Sequence, residues 1–344
     1  MKKAKKKSTR TVVTLAVIAI AAIAVHRVAT LFMPMADNGE KAYVYIDNDD
    51  DRDSVVAKLA PVAKASSMLT FRILAGMTGY YDNIRPGRYA INSGEGTLSV
   101  FRKMRNGSQE PVMLTIPSVR TTERLAHELS KHLMMSKGEL LDALQDEEVC
   151  RKYGLDTLTV HCLFIPETYE VYWNISVDKL LDRMDSEQKR FWNDERTAKA
   201  EMAGMTKQEV VTLASIVDEE TANNGEKPQV AGMYINRLKA GMPLQADPTV
   251  KYAWRRFDIK RIYHKLLAID SPYNTYRYEG LPPGPIRIPS VAGIDAVLNH
   301  AKSNYLYMCA KEDFSGTHNF AATYSEHLKN AARYTAALNA RGIK

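Results

Sequence analysis

The segment Leu213-Ala-Ser-Ile-Val-Asp-Glu-Glu-Thr221 places one carboxylate, Glu220, among the apolar side chains of a predicted helix. Thr206 followed three residues later by Glu209 is a capping-box pattern, and it marks the start of that helix. A carboxyl group held against apolar side chains has a raised pKa, which a general acid working near neutral pH requires. The alternative is an amphipathic helix that ends in a solvated acidic turn.

The three consecutive acidic residues of this segment have different predicted positions. At about 100° per residue, Glu220 falls within an apolar stripe, Asp218 lies toward its rim and Glu219 points away from it. Glu220 is therefore the catalytic candidate that the helical periodicity selects. Four residues form the stripe: Val210, Leu213, Ile216 and Val217.

The basic residues of the chain are concentrated at its start. The 344 residues carry a formal net charge of +7, which falls to +1 without six basic residues in the first ten positions. The excess is therefore a targeting feature, and no nucleic-acid partner is predicted. The length leaves room for two or three domains, and 45% hydrophobic residues is ordinary globular content. The six basic residues are Lys2, Lys3, Lys5, Lys6, Lys7 and Arg10.

An uncharged stretch over residues 11–25 follows the basic tail. It is short for the roughly 20 residues that a bilayer core needs, but Arg27 can snorkel and extend the span to about Met33. The positive-inside rule then predicts a single-pass anchor with a cytoplasmic N-terminus and everything after residue 35 outside. A cleaved signal peptide is the alternative, since Ala22-Ile-Ala24 fits a small-x-small cleavage site. Both alternatives export the body of the protein.

Several kinds of chemistry leave no motif in this chain. It has no C-x-x-C, H-E-x-x-H, G-x-S-x-G, Walker loop or dinucleotide fingerprint, so no metal and no cofactor are predicted. Of the three cysteines, Cys150 and Cys162 could pair and leave Cys309 over, or all three could be buried free thiols.

Composition and periodicity divide the chain into three parts: residues 1–35 as basic tail and anchor, 36–120 as a small α+β module, and 121–344 as a larger domain. The module begins with an acidic segment, which is a solvated spacer or a weak cation site. Its predicted strands are 43–46, 87–91 and 112–116, and its predicted helices are 54–64 and 97–105. The larger domain is predicted to be mostly helical over 121–205, with an interruption at 162–169 and a helix from Pro228 to Gly241.

Loops rich in polar and aromatic residues follow at 243–250, 271–276 and 280–286. Tyrosine rings pack against sugar rings, and amides and carboxylates bond to hydroxyl and acetamido groups, so these loops suit a carbohydrate. The alternative is that their prolines and tyrosines only fix the shape of the loops.

Six segments, in order and spacing, resemble the YceG-like endolytic murein transglycosylases. The match is good over about residues 160–335 and looser over 40–120, where the family carries a LysM-like module. The segments are Leu213-Ala-Ser-Ile-Val-x-x-Glu-Thr221, Ile235-Asn-Arg-Leu238, Gly241-Met-x-Leu-Gln-x-Asp-Pro-Thr-Val250, Tyr273-Asn-Thr-Tyr276, Gly280-Leu-Pro-Pro-Gly-Pro285, and Tyr305-Leu-Tyr307 with Gly316-Thr-His-Asn-Phe320.

The resemblance implies lytic cleavage within nascent peptidoglycan strands, which leaves a 1,6-anhydro-N-acetylmuramic acid end. The family's glutamate maps onto Glu220, on a helix of a mixed α/β catalytic domain at 121–344. Residues 36–120 would be the LysM-like module, and the protein would reside in the inner membrane with its catalytic domain in the periplasm. Peptidoglycan strands are the expected substrate, and peptidoglycan synthases are expected partners.

Further site residues follow from the family's loops and from the need to stabilise an oxocarbenium-like charge. Glu167 is a second acidic candidate. Two alternatives stay open: a two-carboxylate muramidase that uses Glu220 with Asp247 or Glu167, and a non-catalytic peptidoglycan-binding scaffold. The candidate binding residues are Gln245, Asp247, Thr249, Tyr273, Asn274 and Tyr276.

Overall fold

The computed structural model describes residues 2–36, 40–259 and 262–342. It divides the chain into two compact units. The first contains the residues up to 113 together with 132–134 and 170–175, and the second contains 114–131, 135–169 and 176–344. Helices and two-stranded sheets occur together, which confirms the predicted mixed α+β class.

The chain begins with a long apolar helix, α1 (Lys2–Phe32). Its segment Thr11–Phe32 has 22 residues and a mean hydropathy of 2.3, so it is long and apolar enough to cross a membrane. At 1.5 Å per residue this segment measures about 33 Å, against a hydrocarbon core of about 30 Å. The helix continues through Arg27, as the predicted extension to about Met33 requires.

A sheet and three short helices build the rest of the first unit. Strand β1 (Ala42–Ile46) pairs antiparallel with β2 (Gly87–Ile91), and Val44 lies opposite Tyr89. The helices are α2 (Arg52–Leu59), α3 (Ala65–Met77) and α4 (Thr97–Asn106).

Both strands and α4 lie where the sequence predicts them. The predicted helix 54–64 is wrong at its end, because α2 stops at Leu59. Pro61, two residues later, has no N–H to donate to the carbonyl four residues back, so the helical ladder cannot continue through it.

The remaining elements follow in chain order. Strands β3 (Val112–Thr115) and β4 (Thr168–Val171) pair with each other, as do β5 (Tyr307–Ala310) and β6 (His318–Ala321). The helices are α5 (Thr122–Ser130), α6 (Lys137–Gln145), α7 (Glu147–Lys152), α8 (Val177–Phe191), α9 (Asp194–Ala203), α10 (Lys207–Glu220), α11 (Lys227–Lys239), α12 (Asp247–Ala253), α13 (Val291–Leu298) and α14 (Tyr324–Ala340).

Helix α10 is the centre of the second unit. It begins at the predicted capping box, in which Thr206 and Glu209 bond to each other's backbone N–H groups. Residues 210–217 are all buried, so the predicted single apolar stripe is too narrow. Helices α9, α11, α12 and α13 pack around α10 and leave no solvated face over these two turns.

The cysteines take no part in a disulfide. Cys150, Cys162 and Cys309 are free thiols, so the pairing of Cys150 with Cys162 does not form. Cys309 is only partly buried, which differs from the expectation of three buried thiols.

Helix α11 is held closely against the chain at residue 301. A Cβ placed on Gly232 would lie 2.3 Å from the carbonyl oxygen of Ala301. Real Cβ atoms do not approach a backbone oxygen so closely. The two backbones cannot move apart without breaking the hydrogen bond from the Ala301 N–H to the Pro228 carbonyl oxygen.

We expect Gly232→Ala to lower the free energy of unfolding by about 2 kcal/mol, because the added methyl overpacks a helix crossing. Gly138→Ala is the matched control: it is also in a helix of the second unit, and the nearest atom to its new Cβ is 3.8 Å away. That change should instead be stabilising by about 0.5–1 kcal/mol. Urea unfolding of both variants measures the difference, and equal effects would contradict the close crossing.

Candidate active site

Glu220 is the last residue of α10, and it lines a polar cavity at that end of the helix. The Tyr234 hydroxyl, on α11, donates a hydrogen bond of 2.7 Å to Glu220 Oε1. Burial raises the pKa of Glu220 to about 7, and the nearby Asp247 carboxylate acts in the same direction. The Tyr234 bond and the imidazole of His318 lower the pKa, but by less. Glu220 can therefore hold its proton at a much higher pH than an exposed glutamate.

The two preceding carboxylates form ion pairs elsewhere. Asp218 pairs with Lys227 at 2.8 Å, and both side chains are almost fully buried. It also accepts hydrogen bonds from Ser290, so it lies inside the fold rather than at the predicted rim. Glu219 points away from the cavity as predicted, and Arg120 donates to both of its carboxylate oxygens. Of the three acidic residues, Glu220 alone lines the cavity.

The cavity has a volume of about 320 Å³, at the lower end of the range for small-molecule sites. Helices α10, α11 and α12, the loops before α12 and after it, the β5–β6 hairpin and α14 all contribute to its wall. The lining residues are Glu220, Met233, Tyr234, Arg237, Leu244, Gln245, Asp247, Tyr276, Tyr307, Met308, Cys309, Ala310, His318 and His327.

Gln245 has an unusual backbone conformation and a fixed side chain. Its φ of 53° is in the left-handed region, which few residues other than glycine adopt, and such strain is concentrated at functional sites. Arg237 donates to Gln245 Oε1 at 2.7 Å. The amide nitrogen of Gln245 has no partner among the described residues, so it is available as a donor to a bound molecule.

Arg237 holds this part of the wall together. Its buried guanidinium donates to the carbonyl oxygens of Pro243 and Leu306 as well as to Gln245. It therefore joins the loop before α12 to the start of the β5–β6 hairpin. The ring of Tyr307 lies over the guanidinium at 5.7 Å and stacks with His327 of α14 at 5.5 Å.

Asp247 and Tyr276 form a second hydrogen-bonded pair in the cavity. The Tyr276 hydroxyl donates to Asp247 Oδ1 at 2.6 Å. Burial and the adjacent carboxylate raise the pKa of Tyr276, so its hydroxyl keeps its proton. Asp247 is the first residue of α12 and is followed by Pro248. The structure thus brings the predicted residues Glu220, Gln245, Asp247 and Tyr276 to one cavity.

Four other predicted site residues lie outside that cavity. Glu167 is exposed at the end of the loop before β4. Thr249 is fully buried and bonds to Thr275, which ties the loop before α12 to the loop 271–276. Tyr273 packs against Tyr252 with ring centroids 4.7 Å apart. Asn274 is fully buried and donates to the carbonyl oxygens of Leu267 and Ile269. The last three shape the loop, and none of the four is placed to touch a ligand in the cavity.

Several lining residues were not predicted from the sequence. Tyr234, Arg237 and His318 all lie in or beside segments that resemble the family. Their proximity to those segments is the sequence signal that could have identified them. His318 is oriented by Glu226, whose carboxylate accepts from the His318 backbone N–H at 2.6 Å and lies 3.1 Å from Nδ1. His327 is on α14, beyond the quoted segments.

Within residues 2–36, 40–259 and 262–342, no group of three or more His, Cys, Asp or Glu side chains is arranged to hold a metal ion. The residues that line the cavity can support proton transfer by a carboxyl group with a raised pKa, together with hydroxyl and amide donors. Such a site is typical of enzymes that cleave bonds by acid–base catalysis.

Comparisons with known proteins agree with this class. The YceG-like family model matches residues 44–333, so the chain belongs to the YceG-like family. It is 30% identical over 270 residues to an endolytic murein transglycosylase of Bacillus subtilis, and the match covers 74% of each chain.

Two further relatives extend the comparison. The chain is 28% identical to an endolytic murein transglycosylase of Streptococcus pneumoniae, and the match covers 74% of this chain but only 51% of that protein. A crystal structure of a YceG-like protein from Listeria monocytogenes aligns with a TM-score of 0.56 and 26% identity, covering 84% of this chain and 98% of that one. The family's fold thus extends over most of the chain.

Because the pKa of Glu220 is raised in the folded protein, we predict that replacing this carboxyl group stabilises the fold at alkaline pH. The unfolded state loses this proton near the ordinary value of 4.5 and the folded state near 7. The free energy of unfolding therefore falls as pH rises between these values. Above pH 7 the full loss of stability from ionising the buried carboxyl group is reached. Relative to wild type, Glu220→Gln should gain up to about 3 kcal/mol at pH 8 and little at pH 4.

Urea unfolding at pH 4, 6 and 8 measures this difference. Glu167→Gln is the matched control, because the same substitution at an exposed carboxyl should leave the pH dependence of wild type unchanged. A Glu220→Gln effect of equal size at pH 4 and pH 8 would show that Glu220 titrates normally.

Proposed function

We propose that this protein is an endolytic murein transglycosylase that cleaves the β-1,4 bond between N-acetylmuramic acid and N-acetylglucosamine within nascent strands, with Glu220 as its single acid and base. The observation that carries the proposal is the carboxyl group with a pKa near 7 in an open polar cavity. The names of the relatives from Bacillus and Streptococcus supply the substrate class.

In the first step, protonated Glu220 donates its proton to the glycosidic oxygen. The bond from that oxygen to the anomeric carbon of the muramic acid breaks, and the N-acetylglucosamine side leaves as an alcohol. The muramic acid ring carries an oxocarbenium-like positive charge, and Glu220 is now a carboxylate. The burial that keeps Glu220 protonated near pH 7 makes it an effective acid at that pH.

In the second step, the Glu220 carboxylate accepts the proton of the 6-hydroxyl of the same muramic acid. The oxygen of that hydroxyl closes onto the anomeric carbon and gives the 1,6-anhydro end. Glu220 ends protonated, as it began, so one carboxyl group completes the cycle. No water attacks, and no second carboxylate is needed to activate one.

The other cavity residues bind the sugar and stabilise charge. The Asp247 carboxylate, held by the Tyr276 hydroxyl, supplies negative charge for the developing oxocarbenium ion. The free amide nitrogen of Gln245 is a donor for an acetamido carbonyl oxygen, since Arg237 already occupies the Gln245 oxygen. Tyr234 orients the Glu220 carboxyl group through its 2.7 Å bond.

A two-carboxylate muramidase is the alternative that one observation favours, because Asp247 lines the cavity together with Glu220. In that case Asp247 would activate a water molecule, and the product would have a reducing end. Glu167 is exposed outside the cavity and does not support this alternative. A non-catalytic scaffold would have no use for a carboxyl group whose pKa is raised by burial.

The remaining parts of the chain complete the proposed function. Residues 1–35 form a cytoplasmic basic tail and a single-pass anchor in the inner membrane, residues 36–120 a LysM-like module, and residues 121–344 a periplasmic catalytic domain. The supporting observation is the apolar helix segment Thr11–Phe32 after a basic tail. An anchored enzyme would meet strands as peptidoglycan synthases, its proposed partners, produce them.

Product analysis tests the reaction. We expect the full chain in detergent to release fragments with 1,6-anhydro ends from uncrosslinked peptidoglycan strands, as measured by mass spectrometry. Glu220→Gln should lower the rate by at least about 100-fold, because it can neither donate nor accept the proton. Glu167→Gln is the control and should retain wild-type activity. Products with reducing ends would favour the muramidase, and equal cleavage by wild type and Glu220→Gln would exclude Glu220 as the acid.

The bond from Tyr234 predicts a shift in the pH dependence. Since this bond lowers the pKa of Glu220, Tyr234→Phe should raise that pKa by about one unit. The acid step needs protonated Glu220, so the fall of kcat/KM at high pH should move to higher pH by the same amount. Tyr307→Phe, whose hydroxyl does not bond to Glu220, is the control and should leave the position of that fall unchanged. An unshifted profile in Tyr234→Phe would show that the bond does not tune the acid.

A further inference from the structure

Helix α3 of the first unit is apolar on the side that faces away from the core. Leu69 and Ile73 are 43% and 44% exposed, and Met77 is 81% exposed. These residues are spaced by four, so they form one continuous stripe on the helix surface. The opposite side of α3 is already buried, with Phe71 and Ala75 in the core of the unit. The helix is thus apolar on both sides, and only one of them is covered.

The other short helices of the unit do not share this property. The exposed positions of α2 include Arg52 and Asp53, and those of α4 include Arg102 and Arg105. Such polar outer faces are normal for helices at a water-exposed surface. The outer side of α3 carries a single charge, Arg72.

The position of α3 indicates what covers its outer stripe. Thr70 of α3 and Thr30 near the end of α1 are both buried and share a hydrogen bond of 2.6 Å between their hydroxyl oxygens. Helix α3 therefore touches the apolar helix at its C-terminal end, where a spanning segment Thr11–Phe32 would leave the hydrocarbon core. Phe32 is 69% exposed at that end, so apolar surface is exposed on both helices.

We infer that α3 is an interfacial helix: its stripe of Leu69, Ile73 and Met77 inserts into the boundary between the headgroups and the acyl chains of the bilayer that α1 spans. Burying an amphipathic helix by about 5–10 Å at this boundary is a known mode of membrane attachment. Arg72, beside the stripe, can extend its guanidinium to lipid phosphates while its methylene groups stay with the apolar side chains. The membrane attachment of the first unit then has two points, α1 and α3.

This inference rests on the proposed anchor, and the test separates the two. Single tryptophans are introduced into the full chain by Ile73→Trp, Met77→Trp, Val17→Trp and Met113→Trp, and each variant is reconstituted in nanodiscs of phosphatidylcholine and phosphatidylglycerol. Quenching by lipids brominated on the acyl chains is measured relative to unbrominated lipids, after subtraction of the signal of the wild-type tryptophans. All four positions are exposed, so the substitutions should not disturb the core.

We expect strong quenching at Val17, within the span, and at least twofold stronger quenching at 73 and 77 than at Met113, which is 68% exposed on β3. Quenching at Val17 with none at 73 or 77 would overturn the interfacial helix and leave the anchor standing, and a protein partner would then be the occupant of the stripe. No quenching at Val17 would overturn both. Equal quenching at 73, 77 and 113 would also overturn the inference, since it would indicate adsorption without a specific face.

Discussion

The chemistry proposed for this protein depends on the burial of one carboxyl group at the end of a buried helix. Helix α10 has packed side chains on every side over residues 210–217, so the position of Glu220 is fixed by the core rather than by a loop. The same packing removes water from one side of the carboxyl group and raises its pKa to about 7. The fixed position and the raised pKa of Glu220 thus have a common cause, and a looser core would reduce both.

Ion pairing around this helix end makes Glu220 distinct from its neighbours. Asp218 and Glu219 are adjacent in sequence, yet each has a basic partner and neither faces the cavity. Tyr234 gives Glu220 a neutral donor instead of a cation. A cation in that place would hold the carboxyl group ionised and unable to act as an acid near pH 7.

Local sequence spacing was sufficient to predict helix α10 and its capping box. It also selected Glu220, which the structure places in the cavity wall and whose catalytic role stays a prediction. The motif loops also predicted Gln245, Asp247 and Tyr276, which reach the cavity. The same loops gave Thr249, Tyr273 and Asn274, which the structure places in the loop framework. A sequence cannot distinguish polar residues that contact a ligand from those that hold the loop, since both require hydroxyls and amides. That distinction depends on which side chains bond to the backbone, as Asn274 does to Leu267 and Ile269.

Residues that are far apart in the sequence form the cavity wall together. Glu220 and Tyr234 are separated by about a hundred residues from His318 and His327, and Arg237 can bond to Leu306 only after that part of the chain has been made. A chain that is synthesised from its N-terminus acquires residues 307–327 after Glu220 and Tyr234. Until then the part of the cavity wall that the β5–β6 hairpin and α14 form is missing, and that side of the cavity is open. The cavity is therefore complete only after residues 307–327 have joined the fold.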